Sequence, residues 1–108
     1  LYSRASGKSR ELRAEGSILG LYSEANYREF EVQLAKGDYL LAYTDGLIED
    51  PASESSYDDD MQNLMAVMES MDSDRPAAAH FARQMPRFRV SKPWSDDVTA
   101  LLLTCNRA

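Results

Sequence analysis

Residues 39–44 read Tyr-Leu-Leu-Ala-Tyr-Thr, an almost unbroken apolar run that stops at Asp45-Gly46. Side chains on a strand alternate between its two faces, so a run that is apolar at successive positions predicts a strand buried on both sides. A second run, Val-Thr-Ala-Leu-Leu-Leu-Thr at 98–104, is rich in apolar residues and follows Asp96-Asp97. These two segments constrain the fold most, because a layered core must be built around them.

The remaining segments can be placed around this pair. Residues 1–4 and 10–14 are strand-like pieces about Gly7, which predicts a hairpin turning near Ser6, Gly7 and Lys8. Residues 16–21 form a loop whose two glycines flank the apolar pair Ile18 and Leu19. At 29–34, Phe30, Val32 and Leu34 alternate with Glu29, Glu31 and Gln33, the period-2 pattern of a strand with one wet face. Lys36, Gly37 and Asp38 make a tight turn. Met61, Leu64, Met65, Met68 and Met71 make one apolar stripe of a helix. Ser55 or Ser56 can cap that helix, and Asp58, Asp59 and Asp60 suit the positive end of its dipole. A second helix is capped by Asp74 and closed by Pro86, with Ala78, Phe81, Ala82 and Met85 facing inward. The order β-β-β-β-α-α-β predicts an α+β fold with mostly antiparallel strands and two helices.

Composition excludes several classes. The chain has 108 residues, enough for one small domain, and a net charge of −6. Nine acids and no base fall in residues 49–74. Such a segment opposes contact with a phosphate backbone, so nucleic acid is not an expected partner. No stretch approaches the roughly 20 apolar residues of a membrane span, so no membrane partner is expected. The single cysteine, Cys105, builds no disulfide and fits a reducing, cytoplasmic setting; beside Leu101, Leu102 and Leu103 it reads as a half-buried structural thiol. One Cys and one His cannot assemble a zinc cluster.

Chemistry concentrates at two aspartates. Asp45 directly follows the first apolar run and Asp96 stands just before the second. Antiparallel pairing of the runs would bring both carboxylates to one sheet edge, and parallel pairing would put them at opposite ends. Gly46 permits a sharp turn after Asp45. Carboxylates gathered without His or Cys are hard oxygen ligands, suited to Mg²⁺ or Mn²⁺. The plain alternative is that Asp-Gly marks a turn and Asp-Asp a solvated loop.

Gly37 through Glu49 reads Gly-Asp-Tyr-Leu-Leu-Ala-Tyr-Thr-Asp-Gly-Leu-Ile-Glu. It resembles the GD-x-L-x-x-YTDGL-x-E segment of the PPM (type 2C) metal-dependent Ser/Thr protein phosphatases, in their bacterial SpoIIE-type branch. Ser95-Asp96-Asp97-Val98-Thr99 is similar to that family's closing DD-x-T motif, and residues 16–21 to its LG loop. The resemblance implies an α-β-β-α sandwich with a dinuclear Mn²⁺ or Mg²⁺ site between its sheets. It implies hydrolysis of phosphoserine or phosphothreonine on a protein substrate such as an anti-sigma-factor antagonist. By position in the motifs, Asp45 and Asp96 match metal ligands, Asp97 a neighbour that orients the loop, and Gly46 a conformational requirement.

The chain departs from the family at its DGxG and GH motifs, which are absent, and at an FG pair whose place Tyr57-Asp58 takes. Residues 1–108 are therefore expected to be the C-terminal portion of one such domain, lacking its N-terminal half and inactive alone. The alternative is a degenerate phosphatase-fold module that binds a signalling partner as a scaffold. Association of copies through a sheet edge left exposed is also expected. Other features carry no site: Asp58, Asp60 and Glu69 match an EF-hand count, but Asn63 stands where glycine is needed. His80 reads as a surface or packing residue, and Trp94 as a wall of the site or a packing group.

Overall fold

Strands β3 (Tyr39–Tyr43) and β4 (Ala100–Thr104) pair antiparallel over their full lengths, from Tyr39 opposite Thr104 to Tyr43 opposite Ala100. The computed structural model describes residues 1–49, 54–71, 76–85 and 96–107. The expected cap Asp74, the closing Pro86 and Trp94 lie outside these residues. Two-residue strands β1 (Tyr2–Ser3) and β2 (Lys8–Ser9) extend the sheet to the order β2-β1-β3-β4, every pair antiparallel. Two helices, α1 (Tyr57–Glu69) and α2 (Ala77–Gln84), complete an α+β fold.

The apolar stripe predicted for α1 is the face that packs. Met61, Leu64 and Met68 are buried and Met65 and Met71 half-buried, joined by Val67. Ser56 caps the helix: its hydroxyl accepts from the Asp59 N–H at 3.2 Å while the Asp59 carboxylate accepts from the Ser56 N–H at 3.3 Å. That reciprocal pair satisfies two of the N–H groups a helix start leaves open. The core also holds Tyr39, Leu41, Leu47, Ile48 and Phe81. Tyr39 stacks on Tyr2 with ring centroids 4.4 Å apart and donates its phenol to the Met68 carbonyl, tying the sheet to the end of α1.

Four expectations need correction. Residues 29–34 form no strand, and Phe30 is 52% exposed. Alternation shapes a strand only where a neighbour offers hydrogen bonds. Among the described residues no strand pairs with this segment: the Cys105 thiol reaches the Leu34 carbonyl at 3.9 Å, and the nearest ladder-type pairing is an isolated bridge from Gly16 to Tyr27. The return strand of the hairpin is Lys8–Ser9, earlier than the predicted 10–14. The turn closes tightly, with the Gly7 N–H on the Ser3 carbonyl at 2.9 Å, so pairing resumes at once. On α2, Ala78 and Ala82 are exposed, while Ala77, His80, Gln84 and Met85 flank the buried Phe81. Phe81 orients the helix because alanine methyls carry too little apolar area to compete with it. Finally, β3 is buried on one face, not two. Tyr39 and Leu41 face the helices, but Leu40 is half-buried and Ala42 exposed. Their partners across the ladder, Leu103 and Leu101, are 47% and 56% exposed.

The start of β3 is held by a buried carboxylate that the sequence reading treated as part of a turn. Asp38 accepts the Arg4 N–H on one oxygen and the Ala35 N–H on the other, both at 2.9 Å. Gly37 adopts φ 91°, the left-handed region that favours glycine, and its N–H meets the Cys105 carbonyl at 2.8 Å. The Cys105 N–H returns to the Asp38 carbonyl at 2.9 Å, locking β3 to the end of β4. Cys105 itself is half-buried, as expected.

Leu64, 2% exposed, fills the middle of the core, so Leu64→Ala is expected to destabilise the chain by about 2–5 kcal/mol in urea unfolding. The N–H groups of Ala35 and Arg4 hold the Asp38 carboxyl below its ordinary 3.8. As pH falls the unfolded chain takes up that proton first. The Asp38 contribution is therefore complete above the ordinary value and lost on passing through the depressed one. Asp38→Asn is expected to lower the urea midpoint at neutral pH and flatten the acid limb of the stability curve; an unchanged acid limb would contradict this. Glu69, held down by the Ser9 N–H, the Ser9 hydroxyl and Lys8, supplies part of the remaining slope.

Candidate functional site

Where β3 ends, the chain leaves the sheet in a single turn of 3-10 helix, Asp45–Leu47. The Leu47 N–H bonds the Thr44 carbonyl at 3.0 Å, and the Ile48 and Glu49 N–H groups bond the Asp45 carbonyl at 3.0 and 2.8 Å. Leu47 is fully buried and Ile48 nearly so. These two side chains anchor the turn in the core and leave Asp45 exposed at the sheet edge.

The antiparallel register brings the start of β4 to this same edge. Thr44 donates its N–H to the Thr99 carbonyl at 2.9 Å, one step beyond the Tyr43–Ala100 pair. Asp96 and Asp97, both exposed, precede Thr99 and arrive beside the Asp45 turn. Gly46 is buried against them: a Cβ added there would overlap the Asp97 carbonyl oxygen and stand 3.5 Å from the Asp96 carbonyl carbon. The missing side chain is what lets the two loops touch. The Asp97 N–H bonds Oδ1 of Asp96 at 2.7 Å, fixing that carboxylate against its own backbone. All four residues singled out from the sequence (Asp45, Gly46, Asp96 and Asp97) thus share one edge.

Among the described residues, the side chains that could ligate a cation at this edge offer oxygen atoms and are open to water. Among the described residues no three acidic, histidine or cysteine side chains stand close enough together to hold a metal ion. Cys105 lies past the far end of β4, and His80 sits on α2, 3.5 Å from the Ser70 hydroxyl; neither contributes here. A cleft of about 550 Å³ beside β3 is lined by Asp45, Glu49, Tyr43, Glu11, Tyr57 and Met61. Burial pushes the Tyr43 phenol up to about 12, so it is neutral and donates to the Met61 sulfur at 3.0 Å. A larger cavity, about 750 Å³, lies by Arg4, Thr104 and Cys105 at the other end of the sheet, away from the aspartates.

Glu49, Glu11 and Tyr57 were not singled out for this end of the sheet from the sequence. Tyr57 donates to Glu11 at 2.7 Å, and Arg13 approaches both. Contacts 46 and 44 residues apart in sequence leave no periodic signal to read.

A four-stranded antiparallel sheet with its helices on one face and carboxylates at one edge defines the class, an α+β domain with an acidic site at a strand end. Residues 1–106 match the family described as Stage II sporulation protein E (SpoIIE), and the chain belongs to that family. This is the branch of the PPM phosphatases that the motifs at 37–49 and 95–99 indicate. The chain is also 33% identical over 48 residues to the phosphoserine phosphatase RsbU of Bacillus subtilis (strain 168). That alignment spans 44% of this chain and 14% of RsbU. No solved structure matches the chain.

Gly46→Ala is expected to force the Asp96–Asp97 backbone away from the Asp45 turn, at a cost of about 1–3 kcal/mol in urea unfolding. Amide chemical shifts should move at Asp45, Asp96, Asp97 and Thr99 while those of α1 stay in place.

Proposed function

We propose that the chain is the C-terminal part of a metal-dependent phosphoserine/phosphothreonine protein phosphatase domain of a bacterial signalling protein. The observation that carries this reading is the β3–β4 register, which sets Asp45 beside Asp96 and Asp97 in a member of the SpoIIE family. Water-open carboxylates fit Mg²⁺ or Mn²⁺, which keep several waters and bind through one or two carboxylates. In this reading Asp45 and Asp96 are ligands, Asp97 orients the loop through its N–H, and Gly46 allows the approach. A bound pair of such ions supplies a water of lowered pKa and neutralises phosphate charge.

The chain's own groups prepare that chemistry. Leu47 and Ile48 fix the turn, the Asp97 N–H holds Asp96, and the neutral Tyr43 adds no charge beside the acids. Two carboxylates without a bridging partner hold metal weakly, so the 108 residues alone are inactive in this reading. The substrate is a phosphorylated protein, by likeness an anti-sigma-factor antagonist. The alternative reading is a degenerate module that keeps the fold and binds its partner as a scaffold.

The test is Mn²⁺-dependent hydrolysis of a phosphoserine peptide by the chain extended upstream of Leu1 into a complete domain. Turnover should fall on the order of a hundredfold or more in both Asp45→Asn and Asp96→Asn. A folded, extended protein with no metal-dependent turnover would leave the scaffold as the working explanation.

A further inference from the structure

At the end of β3 the ladder changes acceptor. The Thr44 N–H bonds the Thr99 carbonyl at 2.9 Å, and the next antiparallel bond would run from the Thr99 N–H to the Thr44 carbonyl. That carbonyl is already engaged by the Leu47 N–H at 3.0 Å, the bond that opens the turn carrying Asp45 and Gly46. The Thr44 hydroxyl takes its place. Its oxygen accepts the Thr99 N–H at 2.9 Å. Its own proton faces the Asp97 and Thr99 carbonyls at 3.4 and 3.5 Å. The Asp97 carbonyl is thereby held between the Thr44 hydroxyl and the Cα of Gly46.

We propose that Thr44 is a positioning residue of the candidate metal site. Its side chain completes the β3–β4 ladder at the point where the backbone must leave it, and so fixes Asp45 relative to Asp96. This inference rests on the reading of Asp45 and Asp96 as metal ligands. The chemistry requires a hydroxyl that both accepts and donates, on a residue in extended backbone; Thr44 has φ −87° and ψ 155°. Serine meets that requirement. Valine keeps the β-branched shape and loses the bond, which leaves the Thr99 N–H without an acceptor.

The experiment uses the 108-residue chain, Mn²⁺ alone as probe, and water-proton relaxation to follow titration into the millimolar range. Amide hydrogen exchange at Thr99 is read in parallel without metal. In Thr44→Val the Mn²⁺ dissociation constant should rise about tenfold or more, the usual effect of removing a group that orients a ligand. Its Thr99 amide should exchange like a free surface amide. Thr44→Ser should restore both readouts. A merely structural role would lower the unfolding midpoint of Thr44→Val and leave Mn²⁺ affinity of the folded chain unchanged, and that result overturns the proposal. Failure of serine to rescue overturns it as well. Asp45→Asn separates the layers: Mn²⁺ binding lost there but kept in Thr44→Val sinks only the role of Thr44. Binding that survives Asp45→Asn sinks the metal site itself, and this proposal with it.

Discussion

The pairing of β3 with β4 is the contact on which the rest of the molecule depends. These strands lie about sixty residues apart in sequence, so their ladder closes the longest loop in the sheet and is entropically the most demanding contact to form. Once formed, it presents Tyr39, Leu41 and Leu102 as a platform on which α1 and α2 bury their apolar faces. The two-residue strands β1 and β2 add little pairing of their own and are held by side chains, Asp38 at one point and Glu69 at another.

The two ends of this ladder use the same residue type in opposite ways. Asp38 is buried and receives two backbone N–H groups, so its charge is satisfied internally and serves stability. At the other end Asp45, Asp96 and Asp97 are exposed, and the Asp96 carboxylate accepts its neighbour's N–H. Exposed carboxylates of this kind add little to folding, because water screens their charge. Gly46 fits this pattern, since it gives up a side chain so that the loops can meet.

How much was legible in the sequence follows from the range of each signal. The two apolar runs, the stripe and cap of α1, and the convergence of Asp45 with Asp96 are encoded in local patterns plus one assumption about strand direction. Residues 29–34 carry an equally clear alternation and form no strand, because pairing depends on a neighbour that a one-dimensional pattern cannot guarantee. The role of Thr44 was hidden for a different reason. A threonine ending a strand is ordinary, and its importance appears only when Leu47 is seen to occupy its carbonyl. Asp38 read as a turn residue because its two donors, Ala35 and Arg4, come together only through the fold.

The faces of β3 and β4 make a further argument. A strand needs apolar side chains at successive positions only when both of its faces are covered. Here the helices cover the face of Tyr39, Leu41 and Leu102, yet Leu40, Leu101 and Leu103 are as apolar as their neighbours. Contacts among the described residues account for one set and not the other. In the sandwich implied by the family resemblance, a second sheet would lie against the open face, and the composition of both strands would follow from a single cause. The site would then sit at the seam between the layers, where the end of β3 leaves the sheet. Thr44 is the residue that keeps the ladder intact at that seam while the backbone turns away to carry Asp45.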